Sequence, residues 1–97
     1  MLDARARHVE RREPALRVTF KLFATLTGYL PPHAVKHAVE LEVGEAVTPN
    51  QLIDRFQVPR AQVHLVLVNG VYAGAAERDR PLSDGDALAI WPPVAGG

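Results

Sequence analysis

One Asn-Gly pair constrains the fold of this chain more than any other feature of its sequence. Asn69-Gly70 separates a β-branched run, Val63 to Val68, from the shorter run Val71-Tyr72-Ala73. Both central residues of a type I′ turn need positive φ angles, and Asn-Gly is a pair that tolerates them well. The sequence therefore predicts a tight antiparallel hairpin in the second half of the chain.

Two earlier segments show the alternation that is typical of half-buried strands. Leu16 to Phe23 places apolar residues at every second position and puts Phe23 on the face opposite to Leu22. Val39 to Val43 alternates apolar residues with glutamates. A period of two indicates a strand with one buried face. Pro31-Pro32, which lies between the two segments, predicts a loop.

A short helix is predicted between these strands and the hairpin. Thr48 can cap it, Pro49 suits its first position, and Gln51 completes a capping box. An apolar stripe follows at Leu52, Ile53 and Phe56. Pro59 prevents the helix from continuing, so about two turns are expected.

The final strand completes the predicted topology. Ser83 to Asp86 indicates a second tight turn, and Ala87 to Trp91 places Leu88 and Ile90 inward and Trp91 outward. The order is strand, strand, helix, strand, short strand, strand. We therefore predict an α+β fold of the β-grasp, or ubiquitin-like, type: a mixed sheet of about five strands with one main helix packed across it. Its first and last strands should lie side by side and parallel.

Composition excludes several classes of function. The chain has 97 residues, 11 Lys and Arg against 11 Asp and Glu, and no cysteine. A neutral chain lacks the basic excess of a nucleic-acid or anionic-membrane binder. We find no nucleophile–base set, so we expect no catalytic residues, bound cofactor or metal, and chemistry supplied by partners. Met1 to Ala15 lacks the apolar core of a signal peptide, and we expect a cytoplasmic protein.

The sequence ends in Gly96-Gly97, after Trp91 and two prolines. Glycine has no Cβ and can pass through narrow channels, so a terminal glycine offers an unhindered carboxylate. The six residues after Trp91 can extend about 20 Å. We divide the chain into a flexible N-terminal extension (1–15), a β-grasp domain (16–91) and an extended tail (92–97). The alternative is an inert, frayed terminus.

Four segments resemble the MoaD/ThiS sulfur-carrier family. They are Phe20 to Leu26, Val66 to Gly70, Pro81 to Asp86 and Ile90 to Gly97. The last segment is the most specific and is most similar to the small subunit of molybdopterin synthase. The chain departs from the family at Gln57, where relatives often place a glycine after the helix.

The resemblance implies that the Gly97 carboxylate is the site of adenylation and thiocarboxylate formation. An adenylating enzyme of the MoeB/ThiF type would use ATP to activate it. A sulfurtransferase or cysteine desulfurase would supply the sulfur, and the large subunit of molybdopterin synthase, or an equivalent acceptor enzyme, would receive it. The tail inserted into these partners' active sites would comprise Pro92, Pro93, Val94, Ala95 and Gly96.

The predicted partner-binding surface is aromatic. Phe23 and Trp91 lie on the outward faces of strands that should be neighbours, and Tyr72 is expected beside them. Aromatic anchors of this kind often dominate interface energies. The resemblance implies that matching positions contact both the activating enzyme and the acceptor. The alternative is that Phe23 or Trp91 is covered by the N-terminal extension.

Three other functions remain open at this point. The chain could carry sulfur for cysteine, thiamine or tRNA thiolation. It could also be a ubiquitin-like protein modifier that forms an isopeptide bond through the same activated terminus. Finally, it could be a non-covalent binding module.

Overall fold

The structure is a computed structural model, which describes residues 16–93. The predictions for residues 1–15 and 94–97 lie outside this range. The elements are β1 (Leu16–Leu22), β2 (Ala38–Val43), α1 (Pro49–Arg55), β3 (Leu65–Val68), β4 (Val71–Tyr72) and β5 (Ala87–Trp91). Short 3₁₀ helices occupy Ala24–Tyr29, Arg60–Gln62 and Glu77–Asp79.

The five strands form one mixed sheet in the order β2-β1-β5-β3-β4. The central strands β1 and β5 run parallel, with Leu22 in register with Ile90. The β1–β2, β3–β5 and β3–β4 pairs are antiparallel. The predicted α+β, β-grasp fold is therefore confirmed, including the parallel pair at the centre of the sheet.

Helix α1 begins as the sequence predicts. The Thr48 hydroxyl accepts a hydrogen bond from the Gln51 backbone N–H at 3.1 Å, and the Gln51 side chain accepts one from the Thr48 N–H at 3.0 Å. This capping box satisfies two donors that a helix start leaves unpaired. Leu52 and Ile53 on the next turn are fully buried against the sheet.

The core lies between α1 and one face of the sheet. Phe20 is fully buried and stacks on Phe56 with ring centroids 4.8 Å apart. The largest other fully buried side chains are Leu22, Leu26, Leu52, Ile53, Leu88 and Ile90. Because strand side chains alternate between faces, burial of Leu22 and Ile90 directs Phe23 and Trp91 to the other side.

Gln57 adopts the backbone conformation that glycine usually supplies after a helix. Its φ is 60°. The Gln57 N–H donates to the Asp54 carbonyl at 2.9 Å, and the Val58 N–H donates to the Ile53 carbonyl at 3.0 Å. These two bonds form a Schellman motif, which closes the helix despite the steric cost of a side chain in the left-handed region.

The Asn69-Gly70 turn is also confirmed, with φ angles of 54° and 82°. The Asn69 side chain does more than favour the turn. Its Nδ2 donates to Asp86 Oδ1 at 2.8 Å, and its Oδ1 accepts from the Ala87 N–H at 2.9 Å. Asp86 also accepts from the Ser83 N–H at 2.8 Å, so the two predicted turns are bonded to each other.

Candidate functional site

The end of β5 is held on both sides by backbone hydrogen bonds. The Phe23 N–H donates to the Ile90 carbonyl at 3.1 Å, and the His64 N–H donates to the Trp91 carbonyl at 2.9 Å. The chain therefore leaves the sheet from a fixed position between the end of β1 and the start of β3.

An aromatic stack covers this exit on the outward face of the sheet. The rings of Phe23 and Trp91 lie 4.3 Å apart between centroids, with 2° between their planes. Both residues are half-buried, and neither belongs to the core beneath α1. Immediately after Phe23, Ala24 has a φ of 53°, which turns the chain away from the sheet into a 3₁₀ helix.

His37 forms the third member of the stack. Its ring centroid lies 4.9 Å from that of Phe23, at an interplanar angle of 31°. The backbone supports this placement, because the Leu22 N–H donates to the His37 carbonyl at 3.0 Å. Sequence reasoning missed His37, since it follows a proline-containing loop and belongs to no periodic pattern.

The outward face continues across β3 as an apolar surface. Leu65 is in register with Trp91, and Leu67 is in register with Ala89. Both leucines are half-buried. The Phe23–Trp91 stack therefore stands at one end of a strip of aliphatic side chains.

Tyr72 occupies a different part of this face. It is 62% exposed and pairs with Leu67 on the far edge of the sheet. Because β3 separates β4 from β5, Tyr72 lies two strand spacings, about 10 Å, from β5. The structure thus brings Phe23 and Trp91 together and places Tyr72 at the other end of the apolar strip.

The start of the predicted tail is part of the folded domain. Pro92 is buried, whereas Pro93 is exposed. Val94, Ala95, Gly96 and Gly97 lie outside the described residues. Four residues can extend at most about 14 Å beyond Pro93, so a partner that acts on Gly97 must bind close to the aromatic stack.

In the described part of the chain, the ionisable groups with shifted pKa values are Asp54 and Arg60, which do not belong to the aromatic stack. Arg60 donates to both carboxylate oxygens of Asp54, at 2.9 and 2.8 Å, and this hydrogen bonding holds the pKa of Asp54 below its ordinary value. Within residues 16–93 no group of three or more histidine or acidic side chains is placed to hold a metal ion. No helix in that range is long and apolar enough to cross a membrane.

The strand order and the single main helix define a ubiquitin-like β-grasp protein. The family model of Mut7-C ubiquitin matches residues 15–96, so the chain belongs to that family. A search of curated proteins found no match.

Solved structures of small archaeal modifier proteins and of a candidate molybdopterin converting factor subunit are similar to this chain. SAMP1 from Haloferax volcanii is 26% identical with a TM-score of 0.59, over 84% of this chain and 99% of that one. A candidate molybdopterin converting factor, subunit 1, from Pyrococcus furiosus is 25% identical with a TM-score of 0.56, over 81% and 99%. Small archaeal modifier protein 1 from Methanosarcina acetivorans, at 24% identity and a TM-score of 0.54 over 86% and 98%, supports the fold. The resemblance to the MoaD/ThiS group is thereby confirmed.

Proposed function

We propose that this protein is a ubiquitin-like sulfur carrier whose Gly97 carboxylate is activated and converted to a thiocarboxylate. The observation that carries the proposal is the Phe23–Trp91 stack at the point where the chain leaves the sheet. A half-buried aromatic pair beside an aliphatic strip suits a protein partner. The short distance from Pro93 to Gly97 would bring the carboxylate into that partner.

The chemistry explains why a partner is needed. A carboxylate resists nucleophiles because it is negatively charged and has a poor leaving group. Attack of the Gly97 carboxylate on the α-phosphate of ATP would form an acyl-adenylate and release pyrophosphate. A persulfide on a second protein would then displace AMP, and cleavage of the sulfur–sulfur bond by a further thiol would leave a thiocarboxylate. The ATP and the thiols belong to the partners.

The finer proposal is that the sulfur goes to molybdopterin synthesis. The similarity to the Pyrococcus furiosus candidate converting factor subunit supports this acceptor. The implied partners are an adenylating enzyme of the MoeB/ThiF type, a sulfurtransferase or cysteine desulfurase, and the large subunit of molybdopterin synthase. ATP-dependent activation would place these steps in the cytoplasm.

A ubiquitin-like modifier is a second candidate with equal structural support. SAMP1 of Haloferax volcanii is a small archaeal modifier protein and is as similar to this chain. The same acyl-adenylate would then pass Gly97 to a lysine amine of a target, forming an amide and releasing AMP.

Intact mass after activation separates these candidates. The chain is incubated with an adenylating enzyme from the same genome, ATP, cysteine and a cysteine desulfurase. A mass change equal to exchange of one oxygen for sulfur supports the carrier, and Gly97-dependent conjugates to other proteins support the modifier. A chain extended by one residue beyond Gly97 is the control. Unchanged mass with an enzyme that activates its other substrates would overturn the proposal.

A further inference from the structure

Several carboxylates of the domain accept hydrogen bonds from donors inside their own loops or on a neighbouring element. These carboxylates are Asp54 with Arg60, Glu77 with the Gly74 N–H, Asp79 with Asn50, Asp84 with the Arg17 N–H, and Asp86 with Asn69 and Ser83. Asp84 and Asp86 lie at the end of β5 that is opposite to Trp91.

Both lysines of the chain lie near the aromatic stack instead. Lys21 precedes Phe23 by two residues and therefore shares its face of the sheet. It is in register with two small residues, Ala38 on β2 and Ala89 on β5. These small neighbours leave room for the aliphatic part of Lys21 on the outward face, and Lys21 is half-buried.

Lys36 lies in the turn before β2. It directly precedes His37, which packs against Phe23. Reciprocal hydrogen bonds between Val35 and Ala38, at 2.9 and 3.1 Å, close this turn around Lys36, which is exposed. Lys36 has a φ of 59°, where glycine would be less strained. The chain thus places a cation here at a cost in backbone strain.

Among the described residues, the carboxylates on β2 do not cancel the positive charge of Lys21 and Lys36. Glu40 is in register with Thr19 and shares the outward face with Lys21. Glu42, one step further from the stack on that face, pairs with Arg17 at 3.5 Å. Among residues 16–93, two lysines and one glutamate therefore lie on the β1–β2 side of the stack, which leaves an excess of positive charge there.

We infer that the stack and its two lysines, Lys21 and Lys36, dock onto a protein surface whose apolar pocket is rimmed by carboxylates. This inference rests on the proposed function, and it places the apolar pocket and its carboxylates on the activating enzyme. Complementary charges at the rim of an interface accelerate association and make it sensitive to salt. The aromatic rings would enter the pocket, and the lysines would orient the tail towards the ATP site.

Adenylation kinetics with charge-reversal variants test the inference. With the MoeB/ThiF-type enzyme that adenylates the wild-type chain, Lys36→Glu should raise KM for the chain about tenfold near 50 mM NaCl and leave kcat unchanged. The difference should shrink near 500 mM NaCl because salt screens exposed charges. Arg80→Glu, which makes the same charge change on an exposed residue before β5, is the matched control and should behave as wild type.

A second variant separates charge from folding. Lys36→Gly removes the cation and relieves the strained φ, so it should raise the melting temperature while also raising KM. Equal KM values for Lys36→Glu and Arg80→Glu, or a salt-independent difference, would overturn the inference and leave the proposed function intact. Failure of every tested enzyme to adenylate the wild-type chain would overturn both.

Discussion

The indole of Trp91 lies parallel to the ring of Phe23 at 4.3 Å, which clamps the last residue of β5 to the residue that follows β1. Stacked aromatic pairs contribute about 0.5–1.5 kcal/mol beyond the area that they bury. Since both rings are half-buried, the same pair can stabilise the sheet and present a surface to a partner.

A double-mutant cycle measures the first of these roles. Phe23→Leu and Trp91→Leu should each destabilise the domain, with a coupling free energy of about 1 kcal/mol by chemical denaturation. The same cycle between Phe23 and Tyr72, which lie at opposite ends of the strip, should give coupling near zero. Equal coupling in the two cycles would show that the stack contributes nothing of its own.

Charged substitutions measure the second role. Phe23→Glu should leave a cooperative unfolding transition but weaken binding to the activating enzyme at least about tenfold, because an anchor is lost. Phe20→Glu, on the buried face of the same strand, should prevent folding, since it buries an unpaired charge. Circular dichroism and a binding titration distinguish the outcomes. Loss of folding in Phe23→Glu would place that ring in the core.

Changes in the tail should abolish thiocarboxylate formation without lowering the thermal stability of the domain. Deleting Gly97, or adding one residue after it, should abolish thiocarboxylate formation as measured by intact mass. The melting temperature should change little, because the buried residues of the described part lie between Val18 and Pro92. A drop of several degrees in either variant would instead indicate that the terminus packs on the domain.

The helix end offers a stabilising substitution. Gln57→Gly should raise the free energy of unfolding by about 0.5–1 kcal/mol, because the φ of 60° no longer forces a Cβ into the left-handed region. Gln62→Gly is the matched control, since Gln62 is exposed and does not have a positive φ; it should be neutral or destabilising. Thermal and urea denaturation report the sign.

The Asp54–Arg60 pair gives a prediction for pH. Arg60→Gln should raise the pKa of Asp54 towards its ordinary value of 3.8, as followed by NMR titration. Because folding lowers this pKa, the stabilisation is present above pH 3.8 and is lost as pH falls through the folded-state value. The effect on stability should be small since both groups are exposed. An unchanged pKa would contradict the role of the hydrogen bonds.

Local sequence rules predicted most of the fold because they act over a few residues. The capping box at Thr48, the positive φ at Asn69 and the outward phase of Trp91 each follow from neighbouring residues. The contact between Phe23 and Trp91 could also be predicted, because both residues lie on the outward faces of strands expected to be neighbours. These features are determined by periodicity and turn chemistry, which are visible in a single sequence.

The remaining features depend on contacts between distant segments. His37 joins the stack because β2 positions the turn that precedes it, and no local pattern indicates this. Ala24 and Lys36 have positive φ angles although neither residue type favours them, so their identities do not indicate this conformation. Likewise, burial of Pro92 depends on packing that the proline itself does not signal.

The parallel pairing of β1 and β5 gives the domain a direction. The chain enters β1 at Leu16 and leaves at Pro93, and because the two strands point the same way, entry and exit lie at opposite ends of the sheet. Seven residues of strand separate these ends by about 23 Å. A protein or label fused directly to Leu16, in place of residues 1–15, would therefore lie at the end of the sheet opposite to any enzyme that works at the exit.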